Sequence, residues 1–94
     1  MAEMVRRHIF LSGRVQGVFF RENTKNKAKE LGIFGWIRNL ADGRVEAVFE
    51  GKREDVGQII EWVKKGPPLA KLEKIEVLEQ ECQGEFKNFE IKYN

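Results

Sequence analysis

Side chains that commonly carry enzyme chemistry are scarce in this chain of 94 residues. It has one histidine (His8) and one cysteine (Cys82), and its only serine and threonine are Ser12 and Thr24. A single cysteine cannot form a disulfide within the chain, and one cysteine with one histidine is too few for a Cys/His zinc site. A Ser–His–Asp triad would have to use Ser12 and His8, which lie on one short segment. The composition therefore excludes structural zinc and disfavours a nucleophilic triad.

Long apolar runs and a strong charge of one sign are also missing. No stretch approaches the ~20 apolar residues of a membrane span, and no signal-peptide pattern opens the sequence. The formal net charge of +2 is small for a dedicated nucleic-acid binder. We expect a cytoplasmic protein with no membrane or nucleic-acid partner, and the single cysteine fits a reducing compartment. Length and a hydrophobic content of 41% predict one free-standing domain over residues 1–94, which we expect to be a monomer.

The hydrophobic periodicity predicts alternating strands and helices. Gly32 is expected to end the first helix in the left-handed conformation, and Asp42-Gly43 predicts a hairpin turn. In the third strand Glu46 and Glu50 are expected to face outward. The predicted strands cover residues 5–11, 33–40, 44–50, 72–78 and 89–93, and the predicted helices cover residues 21–31 and 53–65.

The order of these elements is βαββαβ with a short terminal strand. It predicts an α+β ferredoxin-like sandwich, in which two helices cover one face of a mostly antiparallel sheet. The first two strands are joined through a crossover helix and should run parallel. Their carboxyl ends then share one edge of the sheet, and that edge carries both the segment 13–20 and Asn39. Ligands of open α/β sheets tend to bind at such an edge.

The segment 12–21 joins the first strand to the first helix and is a candidate anion site. Backbone N–H groups at such a junction lack helical partners and have the positive end of the helix dipole behind them. Gly17 allows these groups to converge, and Arg21 could hold a phosphate through two hydrogen bonds. The basic half of the chain, residues 1–47, contains this segment. A solvated Arg21 and an Asn39 that serves only the turn are the competing interpretations.

Three segments together closely resemble the acylphosphatases, in the family's order and spacing. They are Gly13-Arg14-Val15-Gln16-Gly17-Val18-Phe19-Phe20-Arg21, Leu31-Gly32-Ile33-Phe34-Gly35-Trp36-Ile37-Arg38-Asn39 and Asp42-Gly43-Arg44-Val45-Glu46. The resemblance spans essentially the whole chain. The residue after Val18 departs from many relatives, which have Gly or Cys where this chain has Phe19.

This resemblance implies hydrolysis of an acyl phosphate to a carboxylate and inorganic phosphate, with no metal and no cofactor. It implies two catalytic residues, Arg21 in the phosphate loop and Asn39, which would orient the attacking water. It also implies phosphate contacts from the loop, which map onto Val15, Gln16, Gly17, Val18, Phe19, Phe20 and Arg21.

Other interpretations remain open at the level of the sequence. RNA-recognition domains share this fold, and Phe10, Phe34 or Trp36 could stack on bases, although the chain has no Lys/Arg-Gly-Phe-Gly-Phe run. A regulatory domain that binds an anion or carbamoyl phosphate without turnover is the second alternative. Trp36 is otherwise expected to pack in the core, and His8 to be structural or exposed.

Overall fold

The computed structural model describes residues 3–93, which form five strands and two helices. Each predicted strand and helix is present, and the second helix has the predicted bounds. The first, third and fourth strands extend beyond the predicted segments, because their ladders continue past the alternating residues. The second and fifth strands are shorter by one or two residues, and the first helix begins one residue earlier. The elements are β1 (Met4–Arg14), α1 (Phe20–Leu31), β2 (Phe34–Asn39), β3 (Val45–Lys52), α2 (Arg53–Lys65), β4 (Lys71–Gln80) and β5 (Phe89–Lys92).

The strand order β4-β1-β3-β2-β5 confirms the ferredoxin-like sandwich with its terminal strand. β3 is antiparallel to both β1 and β2, β4 is antiparallel to β1, and β5 is parallel to β2. Val45, at the start of β3, pairs with Leu11 on one side and with Asn39 on the other. The carboxyl ends of β1 and β2 therefore share one edge of the sheet, as expected.

The hydrophobic core lies between the two helices and one face of the sheet. α1 contributes Phe20 and Ala28, and α2 contributes a stripe that repeats every three or four residues. Gly32 ends α1 at φ 70°, so the predicted left-handed cap is confirmed. The core side chains of the first three strands all lie on this face of the sheet, and they are Val5, Ile9, Leu11, Ile37, Val45, Ala47 and Phe49.

The opposite face of the sheet differs from the expectation in two respects. Glu46 and Glu50 do point away from the helices, but they are only 6% and 2% exposed, because β3 is central and long side chains from its neighbours cover it. The expected core packing of Trp36 is wrong. Its side chain lies half-buried on this outer face, where Lys92 and Arg38 cover the ring.

Among residues 3–93, neither helix has the length and apolar character that a membrane crossing requires.

Candidate active site

The segment between β1 and α1 is anchored to the core by alternate side chains. Val15, Val18 and Phe20 are 1%, 7% and 2% exposed, whereas Gly17 and Phe19 face solvent. Burial of the apolar side chains fixes the path of the loop and leaves its outer surface mainly to backbone. We call residues 15–20 the phosphate loop, after the role predicted for it.

Two left-handed residues shape the phosphate loop. Gly17 has φ 74°, and Phe19 has φ 63° and ψ 23°. Phe19 is the only residue other than glycine with a positive φ in residues 3–93. Left-handed turns of this kind bring successive backbone N–H groups together into an anion-binding concavity. The conformation also explains why glycine is favourable at position 19, since a Cβ is strained there.

Most of the N–H groups at this corner have no acceptor within the described part of the protein. The amide of Val15 donates to the carbonyl of Gly13 at 3.1 Å, so this predicted phosphate contact is already occupied. From Gln16 to Glu22, by contrast, no backbone N–H finds an acceptor among residues 3–93. Phe19 occupies the N-cap of α1 and supplies no side-chain cap. The start of α1 thus presents free donors and the positive end of the helix dipole.

The Gln16 side chain holds the phosphate loop against the neighbouring hairpin. Its Nε2 donates to the carbonyl oxygens of Leu40 at 2.8 Å and Arg44 at 2.9 Å. Both carbonyls belong to the connection between β2 and β3, directly after Asn39. One side chain therefore fixes the distance between the loop and the end of β2.

Arg21 projects from the first turn of α1 and is available to an anion. Its guanidinium carbon lies 5.2 Å from the ring centroid of Tyr93, and no carboxylate within residues 3–93 pairs with it. Stacking on an aromatic ring restrains the guanidinium without using its N–H donors. Arg38 and Arg44, by contrast, are paired with Glu46 at 2.6 Å and Asp42 at 2.8 Å.

Asn39 ends β2 on the side of the sheet that faces the helices, because it alternates with the buried Gly35 and Ile37. Its Oδ1 is buried and has no hydrogen-bond partner among residues 3–93. The parallel ladder between β2 and β5 ends with Arg38 opposite Lys92, so the next residues along the two strands are Asn39 and Tyr93. Tyr93 also contacts Arg21. The fold thus brings Arg21 and Asn39 to the same corner.

A pocket of about 220 Å³ opens at this corner. Its polar lining comes from Arg21, Glu22 and the backbone of Gly17, and its apolar lining from Phe19, Phe20 and Ile91. The pocket therefore has room for a small anion with an apolar substituent.

His8 is remote from this corner and has a structural environment. Its Nε2 lies 2.7 Å from Glu46 Oε2 on the outer face of the sheet, and its ring stacks on Phe10. Burial opposes ionisation of Glu46, but hydrogen bonds from His8 and Arg38 outweigh burial and hold the pKa of its carboxyl below the ordinary value. The side chain of His8 therefore belongs to a polar network with Glu46 and Arg38.

Comparison with known proteins agrees with these features. The family model described as Acylphosphatase matches residues 7–91. An acylphosphatase of Syntrophobacter fumaroxidans is 51% identical over 88 residues, which cover 94% of this chain and 91% of that protein. The chain belongs to the acylphosphatase family. It is accordingly an enzyme of the hydrolase class.

Solved structures of acylphosphatases have the same fold. The crystal structure of the acylphosphatase from Bacillus subtilis superposes with a TM-score of 0.91 at 36% identity and covers 95% of this chain and 99% of that one. HypF from T. kodakarensis matches with a TM-score of 0.83 at 37% identity, over 96% of this chain and 12% of HypF. The acylphosphatase fold thus also occurs within a much longer chain.

Sequence reasoning missed two residues of this acylphosphatase corner. The Gln16 side chain was not assigned its bridging role, although a long amide in an otherwise apolar loop was a usable signal. Tyr93 was recognised only as part of an alternating strand. Its contact with Arg21 depends on β5 lying beside β2, and no local pattern in the sequence indicates that pairing.

Proposed function

We propose that this family member hydrolyses the carboxyl–phosphate bond of acyl phosphates by direct attack of water on phosphorus. Arg21 and the amides of the phosphate loop bind the phosphoryl group, and Asn39 orients the water. The observation that carries the proposal concerns residues 3–93. Within them, an arginine without a carboxylate partner, loop amides without acceptors and a buried amide oxygen without a donor meet at one corner.

Phosphate binding follows from the donors at this corner. The amides from Gln16 to Glu22, which find no acceptor among residues 3–93, lead into the start of α1, where the helix dipole favours a negative group. Arg21 adds a full positive charge and a fork of donors that matches two phosphate oxygens. Inorganic phosphate, as product, would occupy the same donors and should inhibit competitively.

Asn39 has the chemistry needed to hold water. In the proposed mechanism Asn39 Oδ1, which has no hydrogen-bond partner among residues 3–93, accepts a hydrogen bond from the attacking water and so restrains the direction of the water lone pair. A carboxamide is not a base near neutral pH, so it positions the water without deprotonating it. In this mechanism the water proton passes to a phosphoryl oxygen.

Neither a general acid nor a metal is needed for this reaction. The leaving group is a carboxylate whose conjugate acid has a pKa of about 4, so it departs without protonation. Charge in a loose phosphoryl transition state lies mainly on the equatorial oxygens. Arg21 and the loop amides stabilise that charge. We therefore propose catalysis without a metal or cofactor.

The proposal extends to the setting of the enzyme. We propose that the enzyme acts as a monomer, because Arg21, Asn39 and the loop amides of a single chain are sufficient for the proposed chemistry. The single free cysteine, Cys82, supports a reducing, cytoplasmic compartment.

The outer face of the sheet gives little support to the RNA-binding alternative. The Arg44 guanidinium carbon lies 5.0 Å from the ring centroid of Phe10. The Arg38 guanidinium carbon and Lys92 Nζ lie 5.2 Å and 4.7 Å from the ring centroid of Trp36. Bases that stack on these rings would have to displace the cations. Glu46, which pairs with Arg38, also places negative charge on this face.

The test is release of inorganic phosphate from benzoyl phosphate by the purified chain, with and without a chelator. We expect hydrolysis that the chelator does not change and that added phosphate inhibits. Phosphate binding without hydrolysis at any pH would favour the regulatory-domain alternative. Hydrolysis that strictly requires a metal would contradict the proposed mechanism.

A further inference from the structure

Phe19 combines two features that are unfavourable for folding. Its ring is 68% exposed, and its backbone has the left-handed φ of 63° that a side chain with a Cβ adopts only under strain. Glycine would avoid the strain, and a polar residue would avoid the exposed apolar surface. Strained residues of this kind are concentrated at functional sites.

The position of the ring shows what it could contact. Phe19 lines the pocket beside Arg21, and Ile91 of β5 and Phe20 complete an apolar wall. In an acyl phosphate a single bridging oxygen joins the phosphoryl and acyl groups. A phosphoryl group held by Arg21 and the loop amides therefore leaves the acyl group at the apolar part of the same pocket.

We propose that Phe19 is a specificity-determining residue, whose ring contacts the acyl group and favours aromatic acyl phosphates over small aliphatic ones. This inference rests on the proposed function. An exposed aromatic face gains most from a second flat apolar group, because an offset ring both covers apolar area and stacks favourably. An acetyl group is too small to cover the ring.

The left-handed backbone of Phe19 contributes to this proposed role. Phe19, at φ 63° and ψ 23°, belongs to the phosphate loop and is also the N-cap of α1. The same residue thus shapes the amide concavity through its backbone and lines the pocket through its side chain. Contact with the acyl group gives a reason for a large side chain at a position where the backbone favours glycine.

The test compares kcat/KM for benzoyl phosphate with kcat/KM for acetyl phosphate, measured by phosphate release, in the wild type and in two variants, Phe19→Asn and Phe19→Gly. Asn and Gly both tolerate a positive φ, so each variant removes the ring from a backbone that can keep its shape. Both substrates carry the same phosphoryl group. The benzoyl-to-acetyl ratio therefore cancels changes in phosphate binding. We expect this ratio to fall roughly tenfold in both variants.

The matched control is Phe34→Asn, since Phe34 is 40% exposed on the outer face of the sheet. Its benzoyl-to-acetyl ratio should stay within about twofold of the wild-type ratio. A wild-type ratio in both Phe19 variants, with hydrolysis of both substrates intact, would overturn this inference alone. A wild-type chain that hydrolyses neither substrate would overturn the proposed function and this inference with it.

Discussion

Arg21 and Asn39 have different tasks in the proposed mechanism, so their loss should have different kinetic signatures. Arg21→Ala removes a phosphate ligand and a charge that stabilises the transition state. We expect kcat/KM to fall by roughly 10²- to 10³-fold and the inhibition constant of inorganic phosphate to rise in parallel. Arg21→Lys keeps the charge but loses the pair of parallel hydrogen bonds, so its kcat/KM should lie between those of the wild type and Arg21→Ala. Unchanged phosphate inhibition in Arg21→Ala would contradict the assignment.

Asn39→Ala should lower the activity but leave phosphate binding and stability nearly unchanged. Turnover should fall by on the order of 10²-fold or more, because the attacking water loses its acceptor. Phosphate inhibition should persist. Since Asn39 Oδ1 is buried and has no hydrogen-bond partner among residues 3–93, the truncation breaks no hydrogen bond between this atom and the described part of the protein. The free energy of unfolding should then stay within about 1 kcal/mol of the wild type. Steady-state kinetics and urea unfolding measure the two effects, and wild-type turnover would exclude a role for Asn39.

Thr24 is a second buried residue with an unsatisfied group. Its side chain lies on the core face of α1 at 0% exposure, and Oγ1 has no hydrogen-bond partner among residues 3–93. Thr24→Val keeps the shape and removes the hydroxyl, so it should raise the free energy of unfolding by about 1 kcal/mol. Thr24→Ser, which keeps the hydroxyl and loses a methyl group, should be destabilised instead. Urea unfolding of the two variants checks this prediction, and a less stable Thr24→Val would contradict it.

At the scale of elements, Glu50 ties β3 to the connection that leads into β5. Its carboxylate accepts the backbone N–H groups of Gln83 and Gly84, both at 3.1 Å, and lies 3.7 Å from Arg6. Glu50 is only 2% exposed, and these two hydrogen bonds and Arg6 compensate for the cost of removing its carboxylate from water. The connection continues into β5, which carries Ile91 of the pocket. The outer face thus stabilises the far wall of the site.

Glu50→Gln should therefore loosen that connection. The glutamine amide keeps one acceptor oxygen but loses the negative charge that faces Arg6. Its NH2 group would also face one of the backbone N–H groups of Gln83 and Gly84, which is itself a donor. We expect a loss of about 2–3 kcal/mol in the free energy of unfolding, with faster hydrogen exchange at Gln83 and Gly84. The control is Glu79→Gln, because the Glu79 side chain is 79% exposed and should change stability by less than about 0.5 kcal/mol. Equal losses of unfolding free energy in Glu50→Gln and Glu79→Gln would contradict the proposed stabilisation of the connection by Glu50.

The elements could be predicted from the sequence because their signals are local. The stripe of α2, the Asp42-Gly43 turn and the alternation of β3 each lie within a few neighbouring residues. The burial of Glu50 could not be predicted in this way, since its partners are Arg6 and the 83–84 backbone, which only the folded sheet brings near. The contact of Tyr93 with Arg21 depends in the same way on the place of β5 in the sheet.

At the scale of the whole molecule, the corner is a consequence of topology. A crossover helix makes β1 and β2 parallel, and β3 lies between them, so Val45 pairs with both Leu11 and Asn39. This much follows from the order of the elements. The sequence therefore predicted which edge carries the site. The stacking of Arg21 on Tyr93 depends on side-chain packing, and so does the lack of a partner for the Asn39 oxygen within residues 3–93. Neither could be predicted from the sequence.

Stability at acid pH is also a property of the whole fold, because lowered carboxyl pKa values link ionisation to folding. The pKa values of Glu3, Asp42 and Glu46 are held below their ordinary values by partners that include Arg53, Arg44 and His8, respectively. Only Glu46 of these three is buried. A folded-state pKa below the unfolded one stabilises the native protein above the unfolded value, 4.5 for Glu46, and this stabilisation is lost as the pH falls through the folded value.

Glu46→Gln should therefore lower the free energy of unfolding at neutral pH and also change how this free energy depends on pH. At neutral pH the variant loses the charge that faces His8 and Arg38, and we expect the free energy of unfolding to drop by about 2 kcal/mol. As the pH falls below 4.5 and through the lowered pKa of folded Glu46, the wild type loses this advantage and the two curves should converge. The control Glu61→Gln, on the exposed surface of α2, should leave a curve nearly parallel to the wild type. Urea unfolding from neutral to acid pH measures the free energy of unfolding of all three proteins. If the difference between the wild type and Glu46→Gln stays constant at low pH, the contacts with His8 and Arg38 do not stabilise the charged Glu46 carboxylate.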